Sequence, residues 1–195
     1  MSIVKEVENT DTPVAVAEVV LECPVQKSIK EWGEFLEEKM CAKCHPCMLG
    51  SYEALDMLKR LAEGEGSDSI ISHLDRIATD MLMGSRCKKG KDVAKTLKEA
   101  LNESRDELVE HYEKGLCRHM ECTALTTYII NTDKCTMCGD CLIACKYAAI
   151  AGEKRTGYAL GYMPYRVRQK RCVKCDACRE VCPVDAVEVF SGGAG

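Results

Sequence analysis

Cysteine carries the chemistry of this sequence, with 15 cysteines among 195 residues. Cys41, Cys44 and Cys47 stand at two-residue gaps in "CAKCHPC". Cys135, Cys138, Cys141 and Cys145 are spaced C-x2-C-x2-C-x3-C, and Cys172, Cys175, Cys178 and Cys182 repeat that spacing 37 residues later. Two-residue gaps in a loop let three successive sulfurs face one point. An iron–sulfur cubane needs that arrangement, with its fourth thiolate supplied from elsewhere in the chain. Zinc favours paired C-x2-C motifs, which these triplets with a trailing cysteine do not form. The sequence offers no other reactive set: no Ser/His/Asp constellation, no nucleophile elbow and no radical-SAM C-x3-C-x2-C run.

Where two such runs share a domain, the fourth cysteine of each ligates the other run's cluster. One [4Fe–4S] cluster is therefore expected on Cys135, Cys138, Cys141 and Cys182. A second is expected on Cys172, Cys175, Cys178 and Cys145. Pro183 follows Cys182, but Lys146 follows Cys145, and a cation there should raise that cluster's potential. For the opening triplet the next cysteine is Cys87, two helices downstream. Antiparallel helices would return "MGSRCKKG" to face "CAKCHPC", so a third [4Fe–4S] cluster is expected on Cys41, Cys44, Cys47 and Cys87. His45, inside the triplet, reads as exposed or as a neighbour of the cluster rather than a ligand. His73 reads as a plain surface residue, and the nine methionines as core filler.

These cysteines need elements to position them. Val25, Ile29, Trp32, Leu36 and Met40 recur at helical steps. A second helix is expected from about Ser51, with Leu55, Leu58 and Leu61 inward, broken by "GEGSDS". A third carries Ile70, Ile71, Leu74, Ile77, Met81 and Leu82 and ends near Gly84. A fourth runs from Lys91 to Lys114, burying Val93, Leu97, Leu101, Leu108, Val109 and Tyr112. After Gly115 the helical period stops and "TTYII", "YRVR" and "AVEVF" read as short strands, while "VAVAEVVLEC" (14–23) reads as a strand near the N-terminus. The two long cysteine runs predict pseudo-twofold halves, each a strand, a cysteine loop, a short helix and a strand. The expected fold is α+β, a small four-helix bundle carrying a [4Fe–4S] site and then a bacterial-type two-[4Fe–4S] ferredoxin domain. The divisions are an N-terminal arm (1–24), the bundle (25–115), a linker (116–127), the ferredoxin domain (128–190) and a disordered tail (191–195).

Composition narrows the class. Charged residues are 30% and hydrophobic ones 46%, as in a globular chain. Aromatic residues are few (two Phe, one Trp, seven Tyr), so metal cross-links are a natural supplement to a small core. "MSIVKEVENTDTPVAVAEVVLEC" breaks its apolar residues with Lys5, Glu6, Glu8, Asp11 and Glu18, unlike a secretion signal. No segment approaches the roughly 20 apolar residues of a membrane span. An odd cysteine count suits reduced thiols in the cytoplasm better than a disulfide framework. The net charge of −4 hides a basic stretch, residues 152–171, with six basic side chains and one acid. It reads as a solvated loop or a docking face for an acidic partner, ahead of a nucleic-acid patch.

"CAKCHPCMLG", followed downstream by Cys87, resembles the cluster-binding helical domain of the NADH-binding flavoprotein subunit of complex I. In that family the motif runs S-C-G-x-C-x-P-C-R-x-G. Met40, Ala42 and Met48 replace its Ser, Gly and Arg, while Pro46, Gly50 and the cysteine spacing match. "HYEKGLCRHMECTALTTYIINTDKC" resembles the linker that joins this domain to a two-cluster ferredoxin domain in flavoprotein subunits of electron-bifurcating hydrogenases. Together the resemblance covers roughly residues 23–190. It implies a zinc site at the domain junction, which residue-by-residue matching puts on Cys23, His111, Cys117 and Cys122, with His119 competing for the place of His111. Three buried free thiols are the alternative. The flavin- and nicotinamide-binding fold of the family has no counterpart in the few residues before Cys23, where no G-x-G-x-x-G occurs. Neither FMN nor NAD is therefore expected to bind here.

The expected function is electron transfer by a non-catalytic iron–sulfur subunit with three [4Fe–4S] clusters. It would relay single electrons between a flavin- or ferredoxin-dependent donor and a larger catalytic subunit of an oxidoreductase complex. Length and domain content are similar to those of the small iron–sulfur subunit of class II benzoyl-CoA reductase of anaerobes. That resemblance implies a tungsten-containing (tungstopterin) partner. Small subunits of bifurcating hydrogenases or formate dehydrogenases are rivals, as is a free multi-cluster ferredoxin. A metal-binding nucleic-acid protein is the reading from another class, and neither nucleic acid nor a membrane is the expected partner.

Overall fold

The computed structural model describes residues 21–154 and 163–192. Most of the expected strand at 14–23, part of the basic stretch and residues 193–195 lie outside these, and residues 21–23 form no strand. Five helices build the first half: α1 (Pro24–Glu34), α2 (His45–Ala62), α3 (Asp68–Gly84), α4 (Lys88–Glu103) and α5 (Arg105–Glu113). α1 opens on Pro24, whose fixed φ and missing N–H suit a first turn. It buries Val25, Ser28 and Trp32, and a π-helical turn (Phe35–Lys39) prolongs it into the first cysteine loop. α2 begins at His45, six residues before the expected Ser51, so Cys47 sits in its first turn. Its end is a Schellman closure, Gly64 N–H to Leu61 O at 3.0 Å and Glu65 N–H to Arg60 O at 2.9 Å, with Gly64 at φ +82.

The expected fourth helix is two helices. Ser104 leaves helical geometry (φ −116, ψ 25), ends α4 by donating to Ala100 O at 3.0 Å, and starts α5 by accepting from Leu108 at 3.1 Å. The bend lets both pieces face one core. α4 buries Val93, Ala94, Leu97 and Leu101, and α5 buries Leu108 and His111. The bundle core centres on Trp32, Leu58, Leu61, Ile71, Leu74 and Met81, each at most 1% exposed. Close approach of helix ends is what positions the cysteines. A Cβ on Gly84 would lie 2.7 Å from Pro46 Cγ, so only glycine lets the end of α3 rest on the start of α2. Cys87 is thereby brought beside the Cys41–Cys47 loop.

The second half is a pair of matching units. β1 (Thr126–Ile130), α6 (Asp140–Ala144) and β2 (Ile150–Ala151) form one, and β3 (Arg166–Val167), α7 (Ala177–Glu180) and β4 (Val187–Ser191) the other. β1 pairs antiparallel with β4, from Thr126↔Ser191 to Ile130↔Val187, and β2 with β3, Ile150↔Val167. Each sheet therefore takes one strand from each unit. The 37-residue repeat extends to the backbone. Met137 and Lys174, Gly139 and Asp176, and Ala148 and Asp185 are matched pairs, all with positive φ. The small core holds Tyr128, Ile130, Met137, Ile150, Tyr165 and Val187, with the cysteines packed against it.

Candidate metal centres

All fifteen cysteines are free thiols. Three groups of them, and one mixed group, converge in space.

The first group gathers at the cysteine-loop end of the bundle. Cys41 and Cys44 lie on the loop before α2, Cys47 in its first turn, and Cys87 caps the start of α4. Cys47 is buried, and Cys41 and Cys87 are exposed. Burial pushes the Cys47 thiol up, and the charges of Cys87, Cys44 and Cys41 push it up further. The Arg86 N–H points to Cys44 Sγ at 3.5 Å. Four cysteine sulfurs brought close enough to influence one another's charge form a donor set that fits a thiolate-ligated cluster. His45 is exposed at the start of α2. His73 sits on α3 with Nε2 3.5 Å from Glu53 Oε1.

The second and third groups line two cavities of the ferredoxin-like half. One is bordered by Cys135, Cys138, Cys141 and Cys182. The other is bordered by Cys145, Cys172, Cys175 and Cys178. Each cavity takes its fourth cysteine from the other run. Burial, reinforced by neighbouring cysteines, pushes Cys141 and Cys178 up to about 11, so both are protonated unless a metal ion displaces the proton. The trailing cysteines receive equivalent backbone donors, Ala149 N–H to Cys145 Sγ at 3.3 Å and Ala186 N–H to Cys182 Sγ at 3.2 Å. Lys146, expected to bias one site, is exposed.

The fourth group is Cys23, His111, Cys117 and Cys122, all buried, with one ligand atom each within 4.8 Å of the others. Cys23 Sγ lies 3.8 Å from Cys122 Sγ, and His111 Nε2 lies 3.4 Å from both sulfurs. A tetrahedral ion with Zn–S of about 2.3 Å and Zn–N of about 2.0–2.1 Å sets sulfurs about 3.8 Å apart and sulfur and nitrogen about 3.6 Å apart. The donor set therefore fits zinc in both type and spacing. His111 Nδ1 is 2.6 Å from the Glu107 carbonyl oxygen, to which it donates, leaving Nε2 free as a ligand atom. Burial pulls the His111 imidazole down, but the Cys117 and Cys23 side chains and the Glu107 carbonyl outweigh it and lift it to about 10, so Nε2 carries a proton that a bound metal ion would displace. The Cys117 thiol is held far below its usual range by hydrogen bonds with Cys122 and Cys23. His119 stays outside the group, 3.2 Å from Glu22 and 3.3 Å from Glu107.

The mixed group ties three segments together: the entry to α1, the end of α5, and the 117–122 linker. The Glu121 carboxylate accepts the N–H groups of Glu22 (2.7 Å) and Cys23 (3.0 Å), and Gln26 Nε2 donates to Cys122 Sγ at 3.5 Å. Cys117 N–H donates to Ser191 Oγ at 2.6 Å, and Lys174 Nζ reaches Thr123 O, coupling the linker to the ferredoxin-like half. Sequence reasoning missed Gln26, Glu121 and the Glu107 carbonyl. Only the four-residue step from Glu107 to His111 on one helix was a readable signal.

Comparison with known proteins defines the class. Residues 27–111 match the NADH-ubiquinone oxidoreductase-F iron-sulfur binding region, and residues 128–189 match the 4Fe-4S dicluster domain. The chain is an iron–sulfur protein that joins these two domains in this order. Among curated relatives, the NADP-reducing hydrogenase subunit HndC of Solidesulfovibrio fructosivorans is 29% identical over 122 residues, 63% of this chain and 25% of that one. The F-type NADH-quinone oxidoreductase subunit of Mycobacterium tuberculosis (strain ATCC 25618 / H37Rv) is 32% identical over 93 residues, 48% of this chain and 21% of that one. An uncharacterized ferredoxin of Methanocaldococcus jannaschii is 36% identical over 66 residues, 33% of this chain and 38% of that one. The chain thus spans a quarter or less of the two oxidoreductase subunits. No helix among the described residues is long and apolar enough to cross a membrane.

Proposed function

We propose that this chain is an electron-transfer subunit that holds three [4Fe–4S] clusters and one structural zinc ion. The clusters would sit on Cys41, Cys44, Cys47 and Cys87; on Cys135, Cys138, Cys141 and Cys182; and on Cys145, Cys172, Cys175 and Cys178. Bound there, they supply reversible one-electron storage. The observation that carries the reading is the pair of cavities, each bordered by three cysteines of one run and the trailing cysteine of the other. The chain's own residues hold the thiolates, bury them against Tyr128, Ile130 and Tyr165, and aim backbone N–H groups at the sulfurs. Cys23, His111, Cys117 and Cys122 are proposed to hold zinc, pinning the linker between the two domains.

Electrons need an entry and an exit. Cys41 and Cys87 are exposed on the bundle, and Cys175 is exposed on the ferredoxin-like half, which supports one contact region in each domain. The donor we propose is a flavin- or ferredoxin-containing protein, and the acceptor a larger catalytic oxidoreductase subunit. By resemblance of domain content alone, the partner we propose is a tungsten-containing benzoyl-CoA reductase, in the cytoplasm of an anaerobe. A hydrogenase-type complex is the second reading, supported by the similarity to HndC. Anaerobic affinity purification of the tagged chain from its host, with mass spectrometry of the partners, tests this. A large oxidoreductase subunit at fixed stoichiometry is expected. A monomer that exchanges electrons with several soluble donors would instead establish a free ferredoxin.

A further inference from the structure

We propose that the Ser85 hydroxyl donates a hydrogen bond into the cluster site of Cys41, Cys44, Cys47 and Cys87 and raises the reduction potential there. The inference rests on the cluster assignment above. Ser85 lies between α3 and Cys87 and is 3% exposed. Its Oγ has no hydrogen-bond partner among the described residues. Buried hydroxyls are rarely left unpaired, because the lost hydration is not recovered. The Ser85 N–H is already engaged, donating to Met81 O at 2.9 Å, so the hydroxyl is the residue's one uncommitted donor.

The surroundings indicate what that partner is. A Cβ built on Gly90 would lie 3.0 Å from Ser85 Oγ and 3.5 Å from Cys47 Sγ. The hydroxyl and the sulfur therefore border one space, which the absence of a side chain at residue 90 keeps open. Ser51, on the other side of Cys47, is committed, its hydroxyl donating to Cys47 O at 2.6 Å. Ser85 is the free donor beside a set of thiolates. A donor facing a thiolate-bound cluster stabilises the reduced state more than the oxidised one, because the reduced state carries one more negative charge.

The test is an EPR-monitored redox titration of the full chain, prepared anaerobically, as wild type, Ser85→Ala and Ser85→Thr. Ser85→Ala should keep about twelve irons per chain. At a fixed solution potential, one of its three clusters should show about a tenfold lower reduced-to-oxidised ratio. For a one-electron couple that is a midpoint about 59 mV more negative. Ser85→Thr, which keeps the hydroxyl, should restore the midpoint. An unchanged midpoint in a fully loaded Ser85→Ala protein, or an equal shift in all three clusters, overturns the proposal. Should Ser85→Ala lose the cluster, Gly90→Ala carries the test, since its methyl crowds the hydroxyl without removing it. A lower midpoint for that one cluster is then expected, and an unchanged one overturns the proposal. A wild-type protein with about eight irons and two clusters would overturn the cluster assignment itself, a result distinct from a loaded site that ignores Ser85.

Discussion

Replacing His111 tests the junction site most sharply. The imidazole is 1% exposed, its Nε2 is 3.4 Å from two cysteine sulfurs, and its Nδ1 is fixed by the Glu107 carbonyl. Structural zinc contributes about 10–16 kcal/mol of binding free energy in small zinc domains. Divided over four ligands, that is roughly 3 kcal/mol each, or about a hundredfold in affinity at 1.4 kcal/mol per factor of ten. His111→Ala should therefore yield zinc to a chromogenic chelator at about a hundredfold lower chelator concentration than wild type. Iron should stay near twelve atoms per chain, because none of the cluster cysteines belongs to this group. His111→Cys should restore zinc, since four thiolates suit a tetrahedral ion equally well. Limited proteolysis adds a structural readout, with cleavage in the 117–125 linker rising in the alanine variant. Wild-type protein produced in zinc-supplemented medium yet purified without zinc would refute the reasoning. So would a His111→Ala variant that holds the ion as tightly as wild type.

Two further outcomes follow from packing and electrostatics. Gly84→Val places methyl groups against Pro46, where even a Cβ would approach to 2.7 Å. A loss of about 1–3 kcal/mol is expected in reversible denaturation, with iron lost first from the bundle site. Tyr128 is raised to about 12 by burial and by the Asp176 carboxylate 3.0 Å from its hydroxyl. Because the folded value lies above the unfolded one of about 10, its contribution to stability is complete below that pH and is lost as pH rises through 12. Ultraviolet titration should show a latest phenolate step, near pH 12, that Tyr128→Phe abolishes, and a uniform titration of all tyrosines near pH 10 would contradict the burial argument.

What could be read from the sequence was local. The three-cysteine loops are set by two-residue gaps, and the matched halves by one repeat, so both are visible in a string of letters. The α+β class and the order of its two domains follow from the change of period near Gly115. Spatial closure was harder. The leucine stripe of α2 is clear only from Ser51 onward, whereas Pro46 in the first turn marks the true start. The division of α4 from α5 is signalled by the S-x-x-E spacing of Ser104 and Glu107, but the apolar positions run through the break and mask it. Left-handed backbone at Met137, Lys174 and Ala148 has no local signature, since these residues do not favour it, whereas Asp185 is of a type that tolerates it. The loops adopt it to turn their sulfurs inward. The resemblance already put His111 ahead of its rival His119, and the fold gathers His111 with the three cysteines while His119 contacts Glu22 and Glu107.

The central claim is that twelve of the fifteen cysteines cage three cubanes. Iron and sulfide analysis of the anaerobically isolated full chain, beside Cys87→Ala, measures it directly. About twelve irons should fall to about eight in the variant, with the two clusters of the ferredoxin-like half still visible by EPR after reduction. A wild-type chain with eight irons or fewer, or a Cys87→Ala variant that retains twelve, would contradict it.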